Sequence, residues 1–259
     1  MLSFTAAEIG GLLGQYFWPF CRVAGMIMVA PVFATAFIPV QIRVLLAVAL
    51  TAAIVPILEP APAVEVLSFQ GLVITLQQVL IGVTIGFLVQ MVFDAVVISG
   101  QIIAMSMGLG FAFMVDAQRG VSVPIVGQFL LIMATLLYLT MDGHLILIEV
   151  LVNSFNSMPV GQAGLVRDDM WSVVMFGAEM FKGAVQIALP AVVALQTVLI
   201  AFGVMSRVAP TMNLFAVGFP AAMTLGFLIL MVTLPHMQPA LFGLLQSAFT
   251  TGRDIVGIS

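Results

Sequence analysis

Four charged residues, Arg22, Arg43, Asp94 and Arg207, interrupt long apolar runs. On insertion scales such a residue costs about 2.5–3.5 kcal/mol at the centre of a bilayer. Each therefore needs a partner, a water-filled cavity, or a place outside the hydrocarbon. Spacing pairs none of them. Interhelix or intersubunit salt bridges that hold an assembly together compete with a role in ion conduction. His144 beside Asp142 fits a proton-relay pair, or a helix-end histidine satisfied by a backbone carbonyl. His236, between Pro235 and Pro239, reads as a loop residue. The sequence contains no HExxH, CxxC, GxSxG or GxxxxGK[ST] pattern. No catalytic residue, metal ligand or cofactor site is assigned.

The stretch Gln101 to Pro124, QIIAMSMGLGFAFMVDAQRGVSVP, is where irregular backbone is expected. Glycine frees the backbone for non-helical shapes, and proline starts a helix well but interrupts one badly. The segment lies between two apolar runs, and irregular backbone at that depth is tolerated only where it lines a cavity or is enclosed by protein. It reads as a pore-facing loop. Methionine is flexible and polarizable, so Met105, Met107 and Met114 fit either core filler or a deformable seal inside a channel. Spacing leaves both open.

The elements that must position these residues are membrane helices. The chain is 63% hydrophobic and 7% charged, against roughly a quarter charged in an ordinary soluble domain. A helix needs about twenty apolar residues to cross the hydrocarbon, and 259 residues leave room for roughly six to eight long segments. A net charge of −4 without a Lys/Arg cluster argues against nucleic acid and against an anionic-lipid patch. The lone Cys21 makes no internal disulfide and reads as a small buried hydrophobe. No Lys or Arg precedes Arg22, so the basic region of a cleaved signal peptide is missing and uncleaved insertion is expected.

Taken in order, residues 9–33 form an apolar run closed by Pro31, and 44–58 a second, ended by Pro56, Glu59, Pro60 and Pro62. Residues 66–93 carry no charge and include Gly82-Val-Thr-Ile-Gly86, a small-residue pair that lets two membrane helices approach closely. Asp94 is read as interrupting this run, and 95–115 as leading into the central loop. A span over 120–141 ends at Asp142-Gly143-His144, and the polar stretch from Asn153 to Asp169 is the most loop-like of all. Glu179 and Lys182, three apart, can pair on one helix face. Pro190 is read as a kink. The end of the chain is read as a hairpin with its tip at 206–213, then a shorter helix after Pro239.

Several stretches together resemble one family, the FliR/SctT subunit of the flagellar and type III secretion export gate. They are Arg22-Val-Ala-Gly25, Ala30-Pro-Val-Phe33, Pro39 and Arg43; Gly100-Gln101, Met107-Gly108-Leu109 and Asp116; and Gly143-His144, Ser154-Phe155 and Pro159. Most specific are Ala188-Leu-Pro190, Ser206-Arg-Val-Ala-Pro210, Asn213-Leu-Phe215 and Gly218-Phe-Pro220. The family commonly has proline after the central aspartate and glutamine after the proline of the hairpin tip; here these are Ala117 and Thr211.

The resemblance implies an all-α polytopic membrane protein with long kinked helices and helical hairpins, one part of a hetero-oligomeric cone-like channel. It implies a FliP-like part at 1–165 and a FliQ-like hairpin with a short terminal helix at 166–259. The subunit would be non-enzymatic and single-copy, without cofactor. Its partners would be FliP-like, FliQ-like and FlhB-like subunits, membrane lipid, and unfolded exported proteins in transit. The place would be the bacterial inner membrane, at the core of the flagellar basal body. Residues 106–122 match the family's plug, which assigns Met105, Met107, Gly108, Gly110, Phe111, Phe113, Met114, Asp116, Arg119 and Gly120 to channel closure. Arg22, Arg43, Asp94, Arg207, Pro210 and Asn213 are assigned to assembly. The competing expectation is a secondary transporter of a small solute, with Asp94 or His144 on its coupling path.

Overall fold

Backbone groups in an apolar phase must be hydrogen-bonded within the chain, and helices do this locally. The protein is accordingly built from helices. The computed structural model describes residues 6–35, 37–62, 64–109, 125–162, 164–208 and 214–257. Among them the order is α1 (Ala6–Val29), α2 (Val40–Ile54) with a 3-10 turn at Val55–Ile57, α3 (Phe69–Ser106), α4 (Ile125–Thr140), α5 (Gly143–Ser157), α6 (Arg167–Val208) and α7 (Leu214–Ile255). The helix ends follow ordinary rules. Ser68 caps α3 by accepting from the Gly71 amide at 3.0 Å. At α6, Asp169 reaches back to the Val166 amide at 2.8 Å. Acidic residues fill its first turn and Arg207 its last, matching the helix dipole.

Against an expectation of six to eight long segments, four helices among the described residues are long and apolar enough to cross a membrane, and α4 with α5 would make a fifth if the pair is one broken span. Asp94 does not interrupt: α3 runs through it for 38 residues. Nor do prolines. Pro190 lies inside α6, while Pro220, Pro235 and Pro239 lie inside α7, so no separate helix follows Pro239 and His236 is helical rather than in a loop. A proline costs a helix about 3 kcal/mol. Unravelling several backbone groups into an apolar surrounding costs several kcal/mol for each group left unpaired. The helix therefore continues. Residues 153–157 are likewise helical, with the Ser154 hydroxyl donating to the Leu151 carbonyl at 2.6 Å instead of opening the turn.

The chain forms two compact units, Met1–Met91 with Met141–Gly177 and Leu245–Ser259, and Val92–Thr140 with Ala178–Leu244. In the first, α1 crosses α3 with backbones nearly touching. A Cβ on Gly82 would lie 2.0 Å from the Arg22 carbonyl oxygen, one on Gly86 2.8 Å from that of Met26, and one on Gly25 2.8 Å from that of Val79. The small-residue pair Gly82/Gly86 thus does what its spacing suggests, with Gly25 answering from the other helix. Cys21, on α1, is half-buried rather than buried. Glu149 of α5 and Arg253 of α7 form an exposed ion pair at 3.9 Å.

In the second unit, Gly100 of α3 faces Gly127 of α4 so closely that a Cβ would lie 2.4 Å from the Gly127 Cα. The Phe93 and Tyr138 rings meet edge to face at 5.4 Å. A Cβ on Gly183 of α6 would meet the Leu244 side chain of α7 at 2.4 Å, so α6 and α7 pack closely there. Glu179 and Lys182 pair at 3.0 Å, as their spacing predicts.

Two glycine substitutions should separate contact glycines from idle ones. Gly82→Val drives a side chain into backbone and is expected to destabilise by at least the roughly 1–3 kcal/mol of core overpacking. Gly243→Ala, where an added methyl meets nothing within 4 Å, should be neutral or stabilise by about 0.4–1 kcal/mol. Thermal unfolding of detergent-solubilised protein reads both, and equal behaviour would contradict the crossing.

Candidate functional site

Arg22 is fully buried where α1, α3 and the end of α5 meet. A guanidinium has five N–H donors, and here all five are used. Nε donates to Gln78 Oε1 at 2.8 Å, and Nη2 donates to the same oxygen. Nη1 donates to the Ser154 carbonyl at 2.8 Å and to its Oγ at 3.0 Å. Nη2 also donates to the Met158 carbonyl at 2.7 Å. The Phe155 ring lies beneath, 4.2 Å from Cζ. No carboxylate partners Arg22 among the described residues. Two of its acceptors are carbonyls of the C-terminal turn of α5, where a helix presents about half a negative charge, and the aromatic face adds further attraction. The salt bridge entertained from sequence is replaced by neutral oxygens, a helix end and a ring.

At the far end of α3 the methionines part company. Met107 is fully buried, while Met105 is 67% exposed. Gly108, at φ 83°, ends the helix: the Gly108 amide bonds the Met105 carbonyl at 3.0 Å and the Leu109 amide bonds the Ala104 carbonyl at 3.0 Å. This is the Schellman pattern, with glycine in the left-handed position. Gly110, Phe111, Phe113, Met114, Asp116, Arg119 and Gly120 lie outside the described residues, as do Pro210 and Asn213.

The other singled-out residues are dispersed. Arg43 Nη2 donates to the Thr35 carbonyl, tying α2 back to the link after α1, while its Nε is buried without a partner. Asp94 is half-buried along α3, and Arg207 is exposed in the last turn of α6. Asp142 takes the left-handed conformation at φ 55° just before α5. His144 Nδ1 is buried with no hydrogen-bond partner, so the carbonyl-satisfied arrangement does not hold for that nitrogen. Sequence reasoning passed over Gln78 and Gly226, and named Ser154 only within the Ser154-Phe155 motif, without a role. A neutral amide one turn before Gly82, within a charge-free run, was the available signal for Gln78.

These features define a polytopic helical membrane protein whose buried polar centre organises helix packing. Residues 13–248 match the family described as bacterial export proteins, family 1. The chain is similar to proteins named flagellar biosynthetic protein FliR. The one from Escherichia coli (strain K12) is 35% identical over 256 residues, covering 99% of this chain and 98% of that protein. That from Aquifex aeolicus (strain VF5) is 31% identical, covering 86% and 85%. That from Bacillus subtilis (strain 168) is 27% identical, covering 92% and 93%. The chain belongs to the bacterial export protein family 1.

The Arg22 centre makes a quantitative prediction. Arg22→Lys keeps the charge but has three donors, losing at least two charge-assisted bonds worth about 1.5–3 kcal/mol each. Gln78→Leu leaves two guanidinium donors unpaired and should cost a similar amount. Arg22→Met with Gln78→Leu should cost clearly less than Arg22→Met alone plus Gln78→Leu alone. Unfolding midpoints of wild type and these variants measure this, and additive costs would mean the two residues do not interact.

Proposed function

We propose that this chain is the non-enzymatic, single-copy FliR-type subunit of a bacterial flagellar type III protein export gate in the inner membrane, at the core of the basal body. It assembles with FliP-like, FliQ-like and FlhB-like subunits around a channel for unfolded proteins. Residues 1–165 act as a FliP-like part and 166–259 as a FliQ-like hairpin. Similarity over nearly the full length to proteins named flagellar biosynthetic protein FliR supports the assignment.

The observation that carries the assembly is the length of apolar surface on α6. Exposed large apolar side chains continue from Met170 and Trp171 through Phe181, Leu189 and Ile200 to Val208, about 57 Å of helix at 1.5 Å per residue. A bilayer offers about 30 Å of hydrocarbon, and even a 40° tilt covers only about 39 Å of helix. The remainder needs protein. A self-contained solute transporter does not supply that cover, and no observation favours one.

The central segment, residues 106–122, closes the channel at rest. A pore wide enough for an unfolded chain would leak ions if left open, and a methionine-bearing loop seals against varied shapes. Deleting 108–118 should make the assembled complex leak ions or small solutes; unchanged permeability in cells carrying the assembled deletion variant would refute closure. Extraction in mild detergent should bring this chain out with FliP-like and FliQ-like subunits, and a stable solitary chain would refute the assembly. Arg207→Ala should lower the yield of complex and the export rate, whereas wild-type values for both would remove Arg207 from assembly.

A further inference from the structure

We propose that Gly226 is a positioning residue for channel closure: it is the socket on α7 that holds Met107 and thereby fixes the point at which the chain leaves α3. The inference rests on the closure reading above. Gly226 and Met107 are both buried and belong to the same compact unit. A Cβ on Gly226 would lie 2.7 Å from Met107 Cγ, 2.8 Å from its Cε and 3.2 Å from its sulfur. The thioether therefore lies along bare backbone, in space that any other residue at 226 would claim. Cε is a flexible tip and could move aside. Cγ is one bond from Cβ and could not move without turning the whole side chain.

Met107 is also the last residue before the left-handed Gly108, and the amides of Gly108 and Leu109 are committed to carbonyls of the preceding turn. Its Cα–Cβ direction is consequently set by the helix stop. Backbone and side chain fix the same point twice, once by hydrogen bonds within α3 and once by contact with α7. Evicting the side chain while the stop remains either turns Met107 about χ1 out of its seat or shifts the last turn of α3, and in both cases the contact that fixes the exit point is lost. A shift of α7 would likewise pull on Met107, so the socket couples the hairpin helix to the closing segment.

The experiment uses the whole assembled complex in cells, read by ion permeability, by export, and by the amount of complex purified. Gly226→Leu should raise permeability several-fold at unchanged assembly. Gly226→Ala, which adds the Cβ alone, should raise permeability by less than Gly226→Leu. A Gly226→Leu complex as tight as wild type, or a Gly226→Ala complex leakier than the Gly226→Leu one, overturns the proposal. The 108–118 deletion in the same assay separates the two ideas. If the deletion leaks and Gly226→Leu does not, only the socket is wrong; if neither leaks, closure itself is wrong. Should Gly226→Leu fail to assemble, Met107→Cys with Gly226→Cys in a Cys21→Ala background serves instead. Oxidation should link the pair in the assembled complex and stop export until a reductant is added. No link, or undiminished export while linked, overturns the proposal.

Discussion

A buried positive charge with no carboxylate partner among the described residues is the constraint on which the first compact unit depends. Removing an ion from water is expensive, and an uncompensated one is strongly destabilising. Arg22 escapes that cost because every donor has an acceptor, and the acceptors come from three places: the Gln78 amide on α3, the Ser154 side chain and backbone on α5, and the Met158 carbonyl just beyond it. The arrangement works only at short range. Gly82, one turn past Gln78, lets α3 lie against the Arg22 backbone itself. The same residue thus meets α3 twice, through its carbonyl at the glycine and through its guanidinium at the amide. Close approach and charge compensation are one geometry.

Neutral compensation has a consequence for the surface. Among the described residues no carboxylate is drawn inside to answer Arg22, and Arg22 is the one charged residue that is buried. The charge pairs Glu179–Lys182 and Glu149–Arg253 are exposed. What remains outside is largely apolar. Half of the most apolar window of α3 is buried within the chain, but only 17% of that of α6. With a helix longer than a bilayer is thick, the uncovered face of α6 calls for protein neighbours as well as lipid.

How much of this was legible beforehand follows from what each signal measures. Composition establishes the membrane class, and charge-free runs establish helices, because both depend only on the apolar phase. The Gly82/Gly86 spacing and the Glu179/Lys182 spacing are local to one helix and are realised as such. Pro239 and Asp94 were read as breaks because their penalties were weighed alone, not against the larger cost of leaving neighbouring backbone groups unpaired. Arg22 was recognisable as a residue in need of partners. Gln78 and Ser154 were not recognisable as those partners, since a neutral side chain gives no charge signal and the pairing spans 56 and 132 residues of sequence. Met107 and Gly226 are likewise separated in sequence by the whole of α4, α5 and α6, and only packing joins them.

Glycine therefore has three separate duties in this chain, and the difference matters for how parts of it can move. At Gly82, Gly86 and Gly100 it removes a side chain so that two helices can meet, and these sites are fixed because backbone faces backbone. At Gly108 it supplies a left-handed residue that stops a helix, and Gly226 receives a flexible side chain instead of a backbone. A backbone–backbone contact either persists or breaks, for it has no soft coordinate. A methionine lying in a glycine socket has three rotatable bonds and can slide, tilt or leave by degrees. The crossings suit a rigid frame. The end of α3 suits a part that must hold firm at rest and still be released.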